Sequence, residues 1–195
     1  MSKYIIYNGE LYHYGRIGMK WGQHIFGKDN VKSVGRVKSS NTKNRLGSKN
    51  IFADVTKNFK PTKNEFGWYN DIETTVNIGK NKNVPVYVDY KEGMDIANAT
   101  KKASNFIKKY DDNKMRNFIA KEFFDKRKPW SNDDGIKFTR KEFMNEMKLD
   151  SIGFDSSGST YEVYYYDGGV SYGGHIFTVE GSTDTGKPND IYLWG

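Results

Sequence analysis

The chain of 195 residues has no cysteine. Disulfides, thiolate metal sites and a thiol nucleophile are thereby excluded. Histidine is nearly as scarce: His13 and His24 lie near the N-terminus and His175 far from both. A three-histidine metal site would need those distant parts to converge, and no His-Glu-x-x-His spacing occurs. The Gly-Lys-Ser/Thr end of a phosphate-binding loop is absent too. Asp133-Asp134-Gly135 opens like a calcium loop but lacks the later ligands, and reads as a turn. No catalytic residue, metal or cofactor is expected on these grounds. Long apolar runs are also missing. No window approaches the 18 residues of a membrane span, and Tyr4–Tyr7 is too short for the apolar core of a signal peptide. Neither a membrane span nor a signal peptide is expected, and the lack of cysteine is compatible with a cytoplasm or a virion.

Aromatic residues, at 15%, and charge are plentiful. The net charge of +7 is unevenly placed. Residues 1–64 hold 13 Lys/Arg against 3 Asp/Glu, and residues 65–195 hold 18 against 21. The basic character belongs to the first third, and the body is mildly acidic. Such an arm suits an acidic surface, either nucleic acid or protein. A merely solvated Lys/Asn-rich stretch is the alternative.

Near the N-terminus, Tyr4-Ile5-Ile6-Tyr7 and Leu11-Tyr12-His13-Tyr14 flank Asn8-Gly9, a pair suited to a two-residue hairpin turn. Residues 12–24 then crowd glycines, aromatics, histidines and cations together. Glycine disfavours both helix and strand interiors there, so a compact loop is expected. It presents Met19, Lys20 and Trp21 as a knob, or else tucks Trp21 into the chain's own core. The string His13-Tyr14-Gly15-x-x-Gly18-Met19-Lys20-Trp21-Gly22 resembles a short motif of tailed-phage proteins from Gram-positive hosts. In this chain Gln23-His24 stand where that motif usually continues with basic residues. The resemblance implies a portable docking or packaging tag, with His13, Tyr14, Arg16, Met19, Lys20, Trp21 and His24 as partner-binding residues.

Residues 27–50 scatter Lys28, Lys32, Arg36, Lys38, Lys43, Arg45 and Lys49 among Ser, Asn and Gly. Too little apolar surface is present to offset ordering entropy, which predicts a basic linker. Aromatic residues are absent from it, so contacts of residues 28–49 with nucleic acid would be weak, phosphate-directed and blind to sequence.

From Ile51 onward the patterns are those of a folded domain. Trp68, Asn70, Ile72, Thr74, Val76 and Ile78 read as an alternating strand, Asn81-Lys82-Asn83 as a turn, and Val84–Asp89 as the returning strand. Pro85 suggests a strand end or an edge. Ile96, Ala99, Ala103, Phe106, Ile107 and Tyr110 fall at helical spacing, as do Met115, Phe118, Ile119 and Phe123. Thr139 and Glu142 form a capping box, and Phe138 with Phe143 a hydrophobic staple, for a third helix running to Leu149. Strands separated by short turns fill the remainder. The expected class is α+β: an antiparallel sheet with two to three packed helices, after a hairpin and tag (1–26) and a basic linker (27–50), with the domain at 51–195.

Phe66-Gly67-Trp68-Tyr69, the central helices and the Tyr-x-Asp-Gly-Gly…Gly-Gly-His segment resemble small bacterial and phage α+β domains, some found near immunity-like genes. That resemblance implies a binding module. His175, after Gly173-Gly174 and near Asp167 and Tyr172, stands as the residue for acid–base work, or else as a structural histidine in a glycine bulge. Tyr172 and His175 are the candidate ligand contacts. Three functions follow as expectations. The first is a non-enzymatic, virion- or assembly-associated phage protein that docks on a head or assembly component. The second is a phage inhibitor that covers a host protein. The third is an enzyme using His175.

Overall fold

The computed structural model describes residues 4–7, 10–13, 50–64, 66–126, 139–167, 172 and 175–194. The chain divides into two compact units, Met1–Asn44 and Arg45–Gly195. In the first, strand β1 (Tyr4–Tyr7) pairs antiparallel with β2 (Glu10–His13), and Tyr7 stands opposite Glu10. Two residues, Asn8-Gly9, therefore join the strands, as the sequence predicts.

The second unit holds a sheet of six strands: β3 (Ile72–Ile78), β4 (Asn81–Val88), β5 (Lys148–Phe154), β6 (Thr160–Tyr166), β7 (Ile176–Ser182) and β8 (Pro188–Trp194). Their order in the sheet is their order in the chain. Its helices are α1 (Ala53–Thr56), α2 (Ile96–Lys109), α3 (Asp112–Phe123) and α4 (Arg140–Glu146). The α+β class holds. One joint of the sheet is parallel: β4 pairs with β5 from Val86↔Ile152 to Val88↔Phe154. A parallel pair needs a long crossover, and α2, α3 and α4 occupy it. Pro85 pairs with Thr75 of β3 just ahead of that joint, where its missing N–H interrupts no registered β4–β5 pair.

Helix boundaries follow local chemistry. The Asp95 carboxylate caps α2 by accepting from the Asn98 N–H at 3.0 Å, and Lys108 and Lys109 close its last turn where the dipole is negative. Tyr110 turns extended, and the Asp111 carboxylate restarts the helix by accepting from the Lys114 N–H at 3.0 Å. The expected capping box at Thr139 and Glu142 is present. The Thr139 hydroxyl and N–H, donating to the Glu142 carboxylate, hold it below the ordinary carboxylate range. Phe138, the other half of the expected staple, lies outside the described residues.

Three expectations about element bounds are corrected. The β3–β4 turn falls at Gly79-Lys80, and Asn81–Asn83 belong to β4. There Asn83, at φ +53°, makes a bulge opposite Asn77, whose side chain accepts from the Asn83 N–H. Strand β3 begins at Ile72, which leaves Trp68 and Asn70 in the preceding turn. Helix α4 ends at Glu146, and Leu149 is already strand.

The helices pack on one face of the sheet. Phe106 of α2 stacks on Tyr161 with centroids 4.2 Å apart and meets Phe154 edge-on at 5.6 Å. Phe123 of α3 and Phe143 of α4 meet Phe177 at 5.2 and 5.9 Å. Val84, Val86, Val88, Ile152, Val163 and Val179 fill the same buried layer. The chain enters this core through Asn50. Its side-chain oxygen accepts from the Ser104 hydroxyl at 2.5 Å, and its amide donates to the Thr100 hydroxyl at 3.1 Å. Among the described residues no helix is long and apolar enough to cross a membrane.

Candidate binding surfaces

The Gly-rich turn between β6 and β7 held the expected ligand contacts. Tyr172 is 1% exposed. Its hydroxyl donates to the Phe123 carbonyl at 2.6 Å, and its ring packs on Phe123, Phe143 and Phe177. Ring and hydroxyl are both engaged inside the core, so the expected ligand contact is corrected to a packing residue. The Asp167 carboxylate accepts from the Tyr172 N–H. The Asp167 N–H donates to the His175 carbonyl at 3.3 Å, and the His175 N–H donates to the Tyr172 carbonyl at 3.2 Å. These bonds close the turn and leave His175 half-buried beside it. Gly169-Val170-Ser171-Tyr172-Gly173 spells Gly-x-Ser-x-Gly. A nucleophile elbow is a strand-to-helix turn, whereas this string runs between strands β6 and β7. Among the described residues no group of three or more His, Asp or Glu is placed to hold a metal ion.

A polar cluster inside the domain is structural. The Tyr165 hydroxyl donates to Asp112 Oδ1 at 2.5 Å, so the Tyr110 hydroxyl, 2.6 Å away, donates to Tyr165. Burial raises the pKa of both tyrosines well above its ordinary value and keeps them neutral donors. Arg116 Nε and Asn81 Nδ2 donate to Asp112 Oδ2 at 3.0 and 3.2 Å. Arg116 Nη1 donates to the carbonyls of Met144 and Met147 at the end of α4. The groups satisfy one another and tie α2, α3, α4, β4 and β6 together.

Two outward-facing features remain. The first is the turn before β3. Asn64 Oδ1 accepts from the N–H groups of Phe66 and Trp68 at 3.0 and 2.9 Å, and the Asn64 N–H donates to the Trp68 carbonyl at 2.7 Å. Gly67 supplies φ +81° at the apex. At the base, Lys63 bridges to Tyr69, and the Asn70 N–H donates to the Thr62 carbonyl at 2.8 Å. This bonded scaffold holds Phe66 70% and Trp68 50% exposed.

The second is the sheet face opposite the helices. Alternation puts Tyr87, Tyr164, Thr178 and Tyr192 there; Tyr164, Thr178 and Tyr192 stand in direct register across β6 to β8, with Ser151 opposite Tyr164 on β5. The Tyr87 ring lies over Gly153, where an added Cβ would meet it at 2.5 Å. In line with Tyr87 and Gly153, and one pleat from Tyr164, Thr178 and Tyr192, stand three carboxylates in direct register: Gly153↔Glu162, Glu162↔Glu180 and Glu180↔Asp190. The Tyr164 hydroxyl donates to Glu162, and the Tyr192 hydroxyl donates to Asp190 at 2.9 Å. Tyr192 has its pKa pushed up to about 12, first by the hydrogen bond to Asp190, then by desolvation and by the fields of Asp190, Glu180 and Glu162. Neither feature was recognised as a binding surface from the sequence. Phe66 was noted only as part of a motif, and Trp68 as part of that motif and as a strand position. The carboxylates are separated by 18 and 10 residues, so only strand register brings them together.

Of the expected tag residues, His13 ends β2. Tyr14, Arg16, Met19, Lys20, Trp21 and His24, with the linker 27–49, lie outside the described residues. No curated protein and no solved structure matches the chain. The model of DUF2262, a family described as an uncharacterized protein conserved in bacteria, matches residues 50–190, and the chain belongs to that family.

Proposed function

We propose that this chain is a non-enzymatic bacteriophage protein, associated with the virion or its assembly. Residues 12–24 dock on a head or assembly component, residues 27–49 act as a basic tether, and the DUF2262 domain adds a second contact through Phe66 and Trp68. The observation that carries the reading is the hydrogen-bonded turn that holds two large aromatic side chains in solvent. Aromatic anchors whose conformation is fixed in advance are what protein interfaces use, because little entropy is lost when they are buried. The family match adds no enzymatic description.

Co-sedimentation of the full chain with purified virions of the encoding phage tests the reading. Trp21→Ala and Trp68→Ala are each expected to weaken association about 30-fold, the equivalent of losing roughly 2 kcal/mol at an anchor. Neither change is expected to shift the melting temperature of the domain. A fall in stability of about 3–5 kcal/mol in Trp21→Ala would instead mark that ring as core. Unchanged association in both variants would refute the docking function.

A further inference from the structure

We infer that the partner surface receiving the Phe66–Trp68 turn, given the docking function proposed above, is a protein cleft with an apolar floor and a rim of carboxylates.

The apolar floor follows from the backbone of the turn. A polar group carried into an apolar setting without a hydrogen bond costs free energy. Here the tip brings its own bonds. Asn64 Oδ1 accepts from the N–H groups of Phe66 and Trp68, and the Asn64 carbonyl accepts from the Gly67 N–H at 3.0 Å. Every N–H from Phe66 to Trp68 is therefore satisfied inside the turn. The two rings can enter a dry cleft without leaving a donor unpaired. Bases stacking on the rings in water make no such demand.

The carboxylate rim follows from charge. Residues 57–70 carry Lys57, Lys60 and Lys63, all exposed, against one acidic residue, Glu65. Lys57 lies 3.8 Å from Asp54, which leaves Lys60 and Lys63 as the charges on offer. Lys63 Nζ is held 4.7 Å from the centre of the Tyr69 ring, and that ring packs edge-on against Tyr90 at 5.1 Å. One ammonium is thus positioned before a partner arrives, which lowers the entropy lost on pairing. Glu92 is already engaged by the hydroxyl of the same ring, accepting from it at 2.9 Å.

The order of charges along the chain favours a protein over a phosphate surface. Glu65 adjoins Phe66, on the tip side of the lysines. An anionic bilayer or a nucleic-acid backbone presents negative charge on every side, so it repels a carboxylate at the tip while attracting the lysines. A protein rim places its carboxylates on the lysine side alone.

Binding kinetics of purified virions of the phage proposed to encode the chain, read on the immobilised full chain, test the inference. Phosphatidylserine–phosphatidylcholine vesicles and oligothymidylate are run in parallel. Lys60→Gln with Lys63→Gln is expected to slow virion association about tenfold at low salt and to change dissociation little, as loss of rim charges does. Trp68→Ala is expected to act on dissociation instead, as loss of an anchor does. Lys101→Gln with Lys109→Gln, the same loss of charge from α2, is expected to change neither rate. All four lysines are exposed, so folding is expected to be unaffected. Carbodiimide, which couples amines to carboxylates in contact, is expected to join Lys60 or Lys63 to an aspartate or glutamate of a virion protein, and Trp68→Ala to lose that product. Virions that bind Lys60→Gln/Lys63→Gln as fast as wild type, or that yield no such product, overturn the inference and leave the docking function intact. Vesicles or oligothymidylate that bind wild type but not Trp68→Ala overturn it as well. Virions that do not bind at all refute the docking function and this inference with it.

Discussion

Gly158→Ala is expected to destabilise the domain by at least about 3 kcal/mol, whereas Gly93→Ala costs only about 1–2 kcal/mol. Both glycines adopt positive φ, +68° and +80°. Around Gly93 an added Cβ meets nothing within 4 Å, so only the backbone penalty applies. At Gly158 the same atom runs into the main chain of Ala99 in α2, which cannot swing aside as a side-chain tip would. The turn is fixed in place from several sides. The Asp155 carboxylate accepts from the N–H groups of Ser159 and Thr160 at 2.8 and 3.0 Å. Lys102 Nζ donates to the Ser159 hydroxyl, and the Thr183 hydroxyl to the Gly158 carbonyl, both at 2.8 Å. Relief therefore requires α2 or the whole β5–β6 turn to move. Urea unfolding of the two variants reads the difference. Equal losses would mean that the turn is not seated against α2.

Phe106→Ala is expected to cost about 3–5 kcal/mol. The ring is buried between α2 and the sheet, stacked on Tyr161 and edge-on to Phe154, with Tyr110 at 5.8 Å. Truncation loses its transfer free energy and three aromatic contacts, and opens a cavity that a helix held by Asn50 and Lys102 cannot close. Phe66→Ala removes the same atoms from a side chain already in solvent and is expected to stay within about 0.5 kcal/mol. A loss at Phe66 comparable to that at Phe106 would contradict the assignment of one to the core and the other to the surface.

These contrasts indicate what was legible in the sequence. The apolar stripe of α2 and the Thr139–Glu142 box are local patterns, and each is realised where spacing predicts it. The parallel β4–β5 joint is not local: it pairs Val86 with Ile152 across the helical crossover. Asn83 misled because its left-handed tendency serves a bulge here rather than the turn. Tyr172 misled because glycines on both sides suggest an open loop, while the tyrosine itself is drawn into the Phe123–Phe177 cluster. The carboxylate row could not be read in advance, since each member looks like an ordinary solvent-side strand residue until register aligns them.

Hydroxyl-radical footprinting of the full chain, free and bound to purified virions of the phage proposed to encode it, tests the proposed docking function most directly. Trp21, Phe66 and Trp68 are expected to react in the free chain and to lose most of that reactivity when bound, while buried Phe106 and Tyr161 stay unreactive in both states. Binding that leaves Trp21, Phe66 and Trp68 as reactive as in the free chain would contradict it.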